Sequence, residues 1–172
     1  KQIFFMGISI LGIGLFWMQK DHYKAYQKWN KAQMFYNNKA YEAALEVYEP
    51  LYPLLKHKPE FLFEAAQSLS KTGRYEKANE YLERAILLSS DPMLYYVMAK
   101  NEQCLGEYRQ AEKHLLHAID ILPERIYPYY LLMNLYTEPS YFQPAKLKMA
   151  IDSVLTKKPK VESSAIKEMK EK

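Results

Sequence analysis

The chain has 172 residues, 49% of them hydrophobic and 26% charged, a balance that excludes a disordered chain and fits one ordinary domain or a short array of repeats. Its net charge of +4 is too weak to point to nucleic acid. Cys104 is the only cysteine, so an intrachain disulfide is excluded.

The first predicted element is the uncharged run Ile3–Met18, "IFFMGISILGIGLFWM". As a helix its sixteen residues would span about 24 Å, short of a hydrocarbon core of roughly 30 Å. Trp17, Gln19 and Lys20 at its end suit a membrane interface. A signal peptide is one alternative, with Gly12-Ile13-Gly14 as a small-x-small site, but Leu15, Phe16 and Trp17 continue the apolar run past it. A buried core helix is the other, but apolar residues lie all round the run and leave no polar face. Residues 1–20 are therefore read as a membrane helix, the C-terminal part of a last span of a longer protein, since the chain starts at Lys1 rather than Met. Lys20, Lys24, Lys28 and Lys31 follow closely and lean toward a cytoplasmic side; the periplasmic side stays open.

Residues 21–158 carry a repeat. "KAYEAALEVY" begins at Lys39, "GRYEKANEYL" at Gly73, "GEYRQAEKHL" at Gly106 and "SYFQPAKLKM" at Ser140. Three series advance together: Tyr41, Tyr75, Tyr108, Phe142; Ala44, Ala78, Ala111, Ala145; and Ala32, Ala66, Ala99, Met133. All three step by 34, 33 and 34. Apolar residues recur at three and four within each unit: Leu62, Ala65, Ala66 and Leu69 on one predicted helix, Tyr75, Ala78, Leu82 and Ala85 on the next. Gly73 and Gly106 suit the left-handed residue that ends the first helix of a pair, and Pro59, Pro92 and Pro123 fall between units. Pro50 and Pro53 should shorten or kink the second helix of the first unit. No segment alternates as a strand would. The expected fold is all-α, about four helix pairs at 25–58, 59–91, 92–125 and 126–158. In the tail, 159–172, Ile166 and Met169 share one face of a predicted short capping helix, with Ser163 or Ser164 as its cap, docked on the fourth unit.

The pattern resembles the tetratricopeptide repeat. Leu62, Ala65, Ala66, Leu69, Gly73, Tyr75, Ala78, Leu82 and Ala85 carry the resemblance in the second unit; Tyr95, Met98, Ala99, Gly106, Tyr108, Ala111, Leu115, Ala118 and Pro123 carry it in the third. The outer units depart, with Lys39 and Ser140 in place of Gly and Asp152 in place of Ala. The resemblance implies a helical solenoid whose first helices line a concave groove. Trp29, Phe63, Tyr96 and Tyr130 would then form an aromatic row there. Gln33, Gln67, Lys100 and Asn134, four residues further on, would form a polar row beside it, and Tyr26 and Tyr36 would extend the N-terminal end. Each of these aromatics either packs between adjacent units or lines a groove that offers contact area and orienting polar groups to an extended peptide or partner protein; a glycan is a less supported ligand. The basic clamp of the family's chaperone-tail binders is not expected, because Trp29, Phe63, Tyr96 and Tyr130 occupy its positions.

Nothing in the chain reads as catalytic, and no cofactor or metal is assigned. His114 and His117 are one turn apart but gather no further ligands in sequence and read as solvated helix surface. Cys104 reads as a partly buried packing thiol. The order of apolar helix, basic-aromatic connector, repeats and the phrases "RIYPYYLLMNLY" and "VESSAIKEM" resembles the C-terminal tail of some bacterial O-antigen ligase or polymerase-like membrane proteins. That resemblance implies a non-catalytic, partner-binding tail at the bacterial cytoplasmic membrane. The alternative is a stand-alone anchored or secreted scaffold unrelated to glycan assembly.

Overall fold

The computed structural model describes residues 21–158 and 163–171. The apolar run 3–18 lies outside the described residues, and among these no helix is long and apolar enough to cross a membrane. Helix α1 covers 21–37. It is followed by α2 (Tyr41–Leu55), α3 (Pro59–Lys71), α4 (Tyr75–Ile86), α5 (Pro92–Leu105), α6 (Tyr108–Ile121), α7 (Tyr127–Thr137), a 3₁₀ turn (Pro139–Tyr141), α8 (Pro144–Thr156) and α9 (Ser164–Glu171). The described residues contain no strand.

Local chemistry sets the helix ends. Gly73 and Gly106 stand at φ +79° and +76°, the left-handed turn that the periodicity demands there. Lys39 takes the same place in the first unit at φ +60°, a conformation that an L side chain adopts only at a cost. Pro59 and Pro92 open α3 and α5, and the Asp91 carboxylate accepts from the Met93 amide at 2.9 Å to cap α5. Pro50 and Pro53 do not cut α2 short. It runs fifteen residues with both inside it, held by the buried Tyr48, Leu51 and Leu55, so tertiary packing overrides two missing backbone donors.

Successive helices pack antiparallel, and each second helix (α2, α4, α6) also packs on the next unit's first. The first helices additionally touch one another, α3 with α5 and α5 with α7. They are the more closely spaced layer and so form the inner face. Alanines let the backbones approach: Ala32, Ala44, Ala66, Ala78, Ala99 and Ala111 have no exposure. The core falls into two clusters that meet at α5. Leu94 and Met98 belong to the N-terminal one, Tyr96 and Ala99 to the C-terminal one.

The fourth unit departs from the expected register. On α7 the buried Pro128, Leu131, Leu132 and Leu135 repeat Leu62, Ala65, Ala66 and Leu69 of α3 at an interval of 66 residues, two steps of 33. Leu132, not Met133, is therefore the counterpart of Ala66 and Ala99. On α8 the shift is opposite. Ala145 and Phe142 are exposed, while Ala150 and Val154 are buried and Leu147 packs on the core. The reason is the turn: 138–143, with its 3₁₀ segment, separates α7 from α8, where only 106–107 separates α5 from α6. Extra residues replace the single left-handed glycine and displace every following core position.

Helix α9 starts as expected, with Ser163 Oγ accepting from the Ile166 amide at 3.3 Å. Lys170 Nζ donates to the carbonyls of Leu155 and Lys157 at 3.2 and 3.0 Å, tying α9 to the end of α8.

Candidate functional site: the inner face of the first helices

The N-terminal half of the inner face is organised around a carboxylate. Glu64, half-buried on α3, accepts from Trp29 Nε1 at 2.6 Å, Gln33 Nε2 at 2.8 Å and the Tyr48 hydroxyl at 3.0 Å. Trp29 and Gln33 come from α1 and Tyr48 from α2, so one side chain ties the first unit to the second. The rings are fixed around it. Trp29 meets Phe61 edge-on at 5.7 Å and Phe61 meets Tyr48 edge-on at 5.5 Å, both favoured quadrupole geometries. Burial first, and then the charge of Glu64, pushes the Tyr48 hydroxyl above the usual tyrosine range, so it remains a neutral donor. One step further along the face, the Tyr36 hydroxyl donates to Gln67 Oε1. Burial, then Tyr41 and Glu64, raises its pKa as well.

The predicted row is thus partly assembled. Trp29, Gln33, Tyr36, Phe63 and Gln67 are half-buried on the inner face, and Lys100 is exposed, its ammonium 5.9 Å from the centroid of the Tyr127 ring. Tyr96 is a correction. It is 4% exposed and set edge-on against Tyr127 at 5.2 Å, so it fills the seam between the third and fourth units and offers no free contact area. Tyr130 and Asn134 are corrected as well. Both are half-buried, but by the interval of 66 the positions equivalent to Phe63 and Gln67 are Tyr129 and Met133.

Sequence reasoning missed Glu64, although a signal existed. Its register positions in the neighbouring units are Asn30 and Val97, so a carboxylate interrupts an otherwise uncharged line. The salt bridges among the described residues involve other acids: the three donors to Glu64 are all neutral. The site can orient a ligand group and offer it one negative charge beside half-buried aromatic surface. No group of three or more potential metal ligands exists among the described residues.

The histidine reading also changes. His114 Nδ1 lies 2.9 Å from a carboxylate oxygen of Glu102, and Glu102 is only 5% exposed, so His114 serves a buried polar contact instead of standing on open surface. His117 packs edge-on against Tyr95 at 4.7 Å. Cys104 is exposed, not a packing thiol.

A family model described as "Anaphase-promoting complex, cyclosome, subunit 3" matches residues 37–118. No curated protein sequence matches the chain. Among solved structures, the fold is similar to MamA (residues 41 to the end) from Desulfovibrio magneticus RS-1, at 16% identity over 86% of this chain and 76% of that one, TM-score 0.67. It is also similar to the type III secretion chaperone SycD of Yersinia enterocolitica in complex with a peptide of the translocator YopD, at 18% identity over 73% and 90%, TM-score 0.57. A third is a kinesin light chain of Podosopora anserina with nearly identical TPR-like repeats, at 16% identity over 76% and 72%, TM-score 0.59. These likenesses show the fold, a TPR-like helical solenoid.

Proposed function

We propose that the array is a protein-interaction module that takes an extended peptide or partner segment along the inner face of its first helices. The observation that carries the reading is the preordered surface at α1 and α3, where Trp29 and Gln33 are held by one carboxylate beside the half-buried Phe63. Aromatic area that is already immobilised loses little entropy on binding. SycD, of similar fold, has a translocator peptide in its structure, which supports the reading by analogy of fold. Residues 3–18 tether the module to a bacterial cytoplasmic membrane, and the module serves as the partner-binding tail of a glycan-assembly protein of the O-antigen ligase or polymerase type. The sequence layout supports these two parts of the reading.

Photo-crosslinking tests it. A photoreactive residue at Phe63, in the full chain expressed in its native membrane, should trap a discrete protein adduct, and the same residue at the outward Lys148 should not. Lys100→Ala should weaken the adduct. Equal adducts at both positions, or none at Phe63, would overturn the groove as the binding surface.

A further inference from the structure

The two edges of the array differ. One edge holds the turns inside each pair, at 38–40, 72–74, 106–107 and 138–143, and is polar apart from Met34 and Phe142. The other edge holds the ends of the second helices, and each of these ends exposes leucine. Leu54 is 37% exposed at the end of α2, Leu87 and Leu88 are 84% and 47% just after α4, Leu122 is 39% after α6 and Leu155 is 52% in the last turn of α8. An apolar line repeated at every unit of a water-facing array calls for a cover.

The start of α1 lies on that same edge. His22 meets His57, just past the end of α2, at 6.3 Å, and Lys58 Nζ lies 6.0 Å from the Tyr26 ring. The chain enters α1 directly from the apolar run: only Gln19 and Lys20 separate Met18 from Asp21. Three residue steps reach at most about 11 Å in any conformation. If Ile3–Met18 sits in the bilayer, the edge that receives it cannot stand clear of the lipid headgroups.

We infer that the leucine edge lies on the membrane surface, with its leucines in the headgroup layer and the inner face of the first helices opening sideways, parallel to the bilayer. This rests on the proposal that residues 3–18 are membrane-embedded. Tyr23, 64% exposed at the start of α1, fits an interfacial position. The edge carries both signs. Exposed Lys24, Lys56, Arg84, Arg125 and Lys158 stand among exposed Asp21, Glu60, Asp91 and Glu124. The leucines are the element repeated at every unit, so apolar burial carries the contact and neutral lipid suffices for it.

The test uses the full chain in phosphatidylcholine vesicles, carrying Cys104→Ser and an environment-sensitive fluorophore on either Leu87→Cys or Lys39→Cys at the opposite edge. Leu87 is mostly in solvent and Cys104 is exposed, so these changes leave the core alone. The expected result is a blue-shifted label at position 87 that a headgroup nitroxide lipid quenches several-fold more than the label at 39, with or without anionic lipid. A chain that fails to float with the vesicles would refute the membrane-embedded reading. A chain that floats while both labels are quenched equally would overturn the edge contact. A label at 87 shielded from iodide yet untouched by the lipid nitroxide would also overturn it, and would assign the cover to the apolar run or to a second copy.

Discussion

Two carboxylates, Glu64 and Glu112, do the same structural job at opposite ends of the array with different consequences. Glu64 gathers Trp29, Gln33 and Tyr48 from the unit before it. Glu112, on α6, gathers the unit after it: Tyr136 at 2.6 Å, Tyr141 at 2.8 Å and Lys146 at 2.7 Å, with Tyr108 stacked on Tyr141 at 5.6 Å. The joint between them, from α4 to α5, uses a neutral amide pair instead, Asn101 Nδ2 to Asn79 Oδ1 at 2.8 Å. The difference lies in the partners' charge. Lys146 neutralises Glu112, whereas every donor to Glu64 is neutral. Glu64 is thus satisfied by dipoles alone, while the Glu112 cluster carries its own countercharge.

The contrast breaks most sharply on Glu64→Ala. The change strands the Tyr48 hydroxyl inside the core and unpairs Trp29 and Gln33, so a loss of about 2–4 kcal/mol is expected by urea denaturation. Glu112→Ala strands the buried Tyr136 hydroxyl too, but the exposed Lys146 ammonium returns to water, so a somewhat smaller loss of about 1–3 kcal/mol is expected. A larger loss at Glu112 would reverse the ranking of the two staples.

Acid separates the pair next. Burial raises the Glu112 pKa, but hydrogen bonds from Lys146, Tyr136 and Tyr141 outweigh it and hold the carboxyl below the usual carboxylate range. A depressed folded-state pKa contributes stability above the ordinary value, about 4.3 for a free Glu, and that contribution fades as pH falls through the folded-state value. Urea midpoints at pH 7 and pH 3 should therefore converge for wild type and Glu112→Gln as the pH drops. A gap that stays constant would show that the charge of Glu112 does not matter.

The smallest expected effect compares the turns. Lys39→Gly relieves a left-handed side chain and should stabilise the first unit by roughly 0.5–1 kcal/mol, seen as a raised thermal midpoint. Gly73→Ala has open space around the new methyl group but meets the same backbone penalty, so it should destabilise by a comparable amount. If both changes were neutral, the left-handed turns would not be limiting.

Much of the fold is legible in the residues. Ala66 and Ala99, Ala78 and Ala111, and Gly73 and Gly106 share one step of 33. The helix period and the left-handed turn are local properties that these residues carry wherever they stand. The inner-face residues of the first two units follow from the same period. Legibility stops where the spacing stops being periodic. The turn at 138–143 inserts residues that no helical period counts, so Ala145 and Phe142 lose their core places to Leu147 and Ala150, and the partners assigned on α7 move from Tyr130 and Asn134 to Tyr129 and Met133. Tyr96 belongs to the same class of miss, since a residue can stand in the groove register and still be drawn into a seam by a neighbour such as Tyr127.

The local pattern of small, aromatic and glycine residues therefore settles that this chain forms stacked helix pairs and which faces they bury, because helix periodicity and turn conformation act over a few residues. Which side chains the carboxylates collect, where the fourth unit sits and which edge exposes leucine depend on contacts between residues some thirty positions apart. Those contacts are set by turn length and packing, which exist only once the units have stacked.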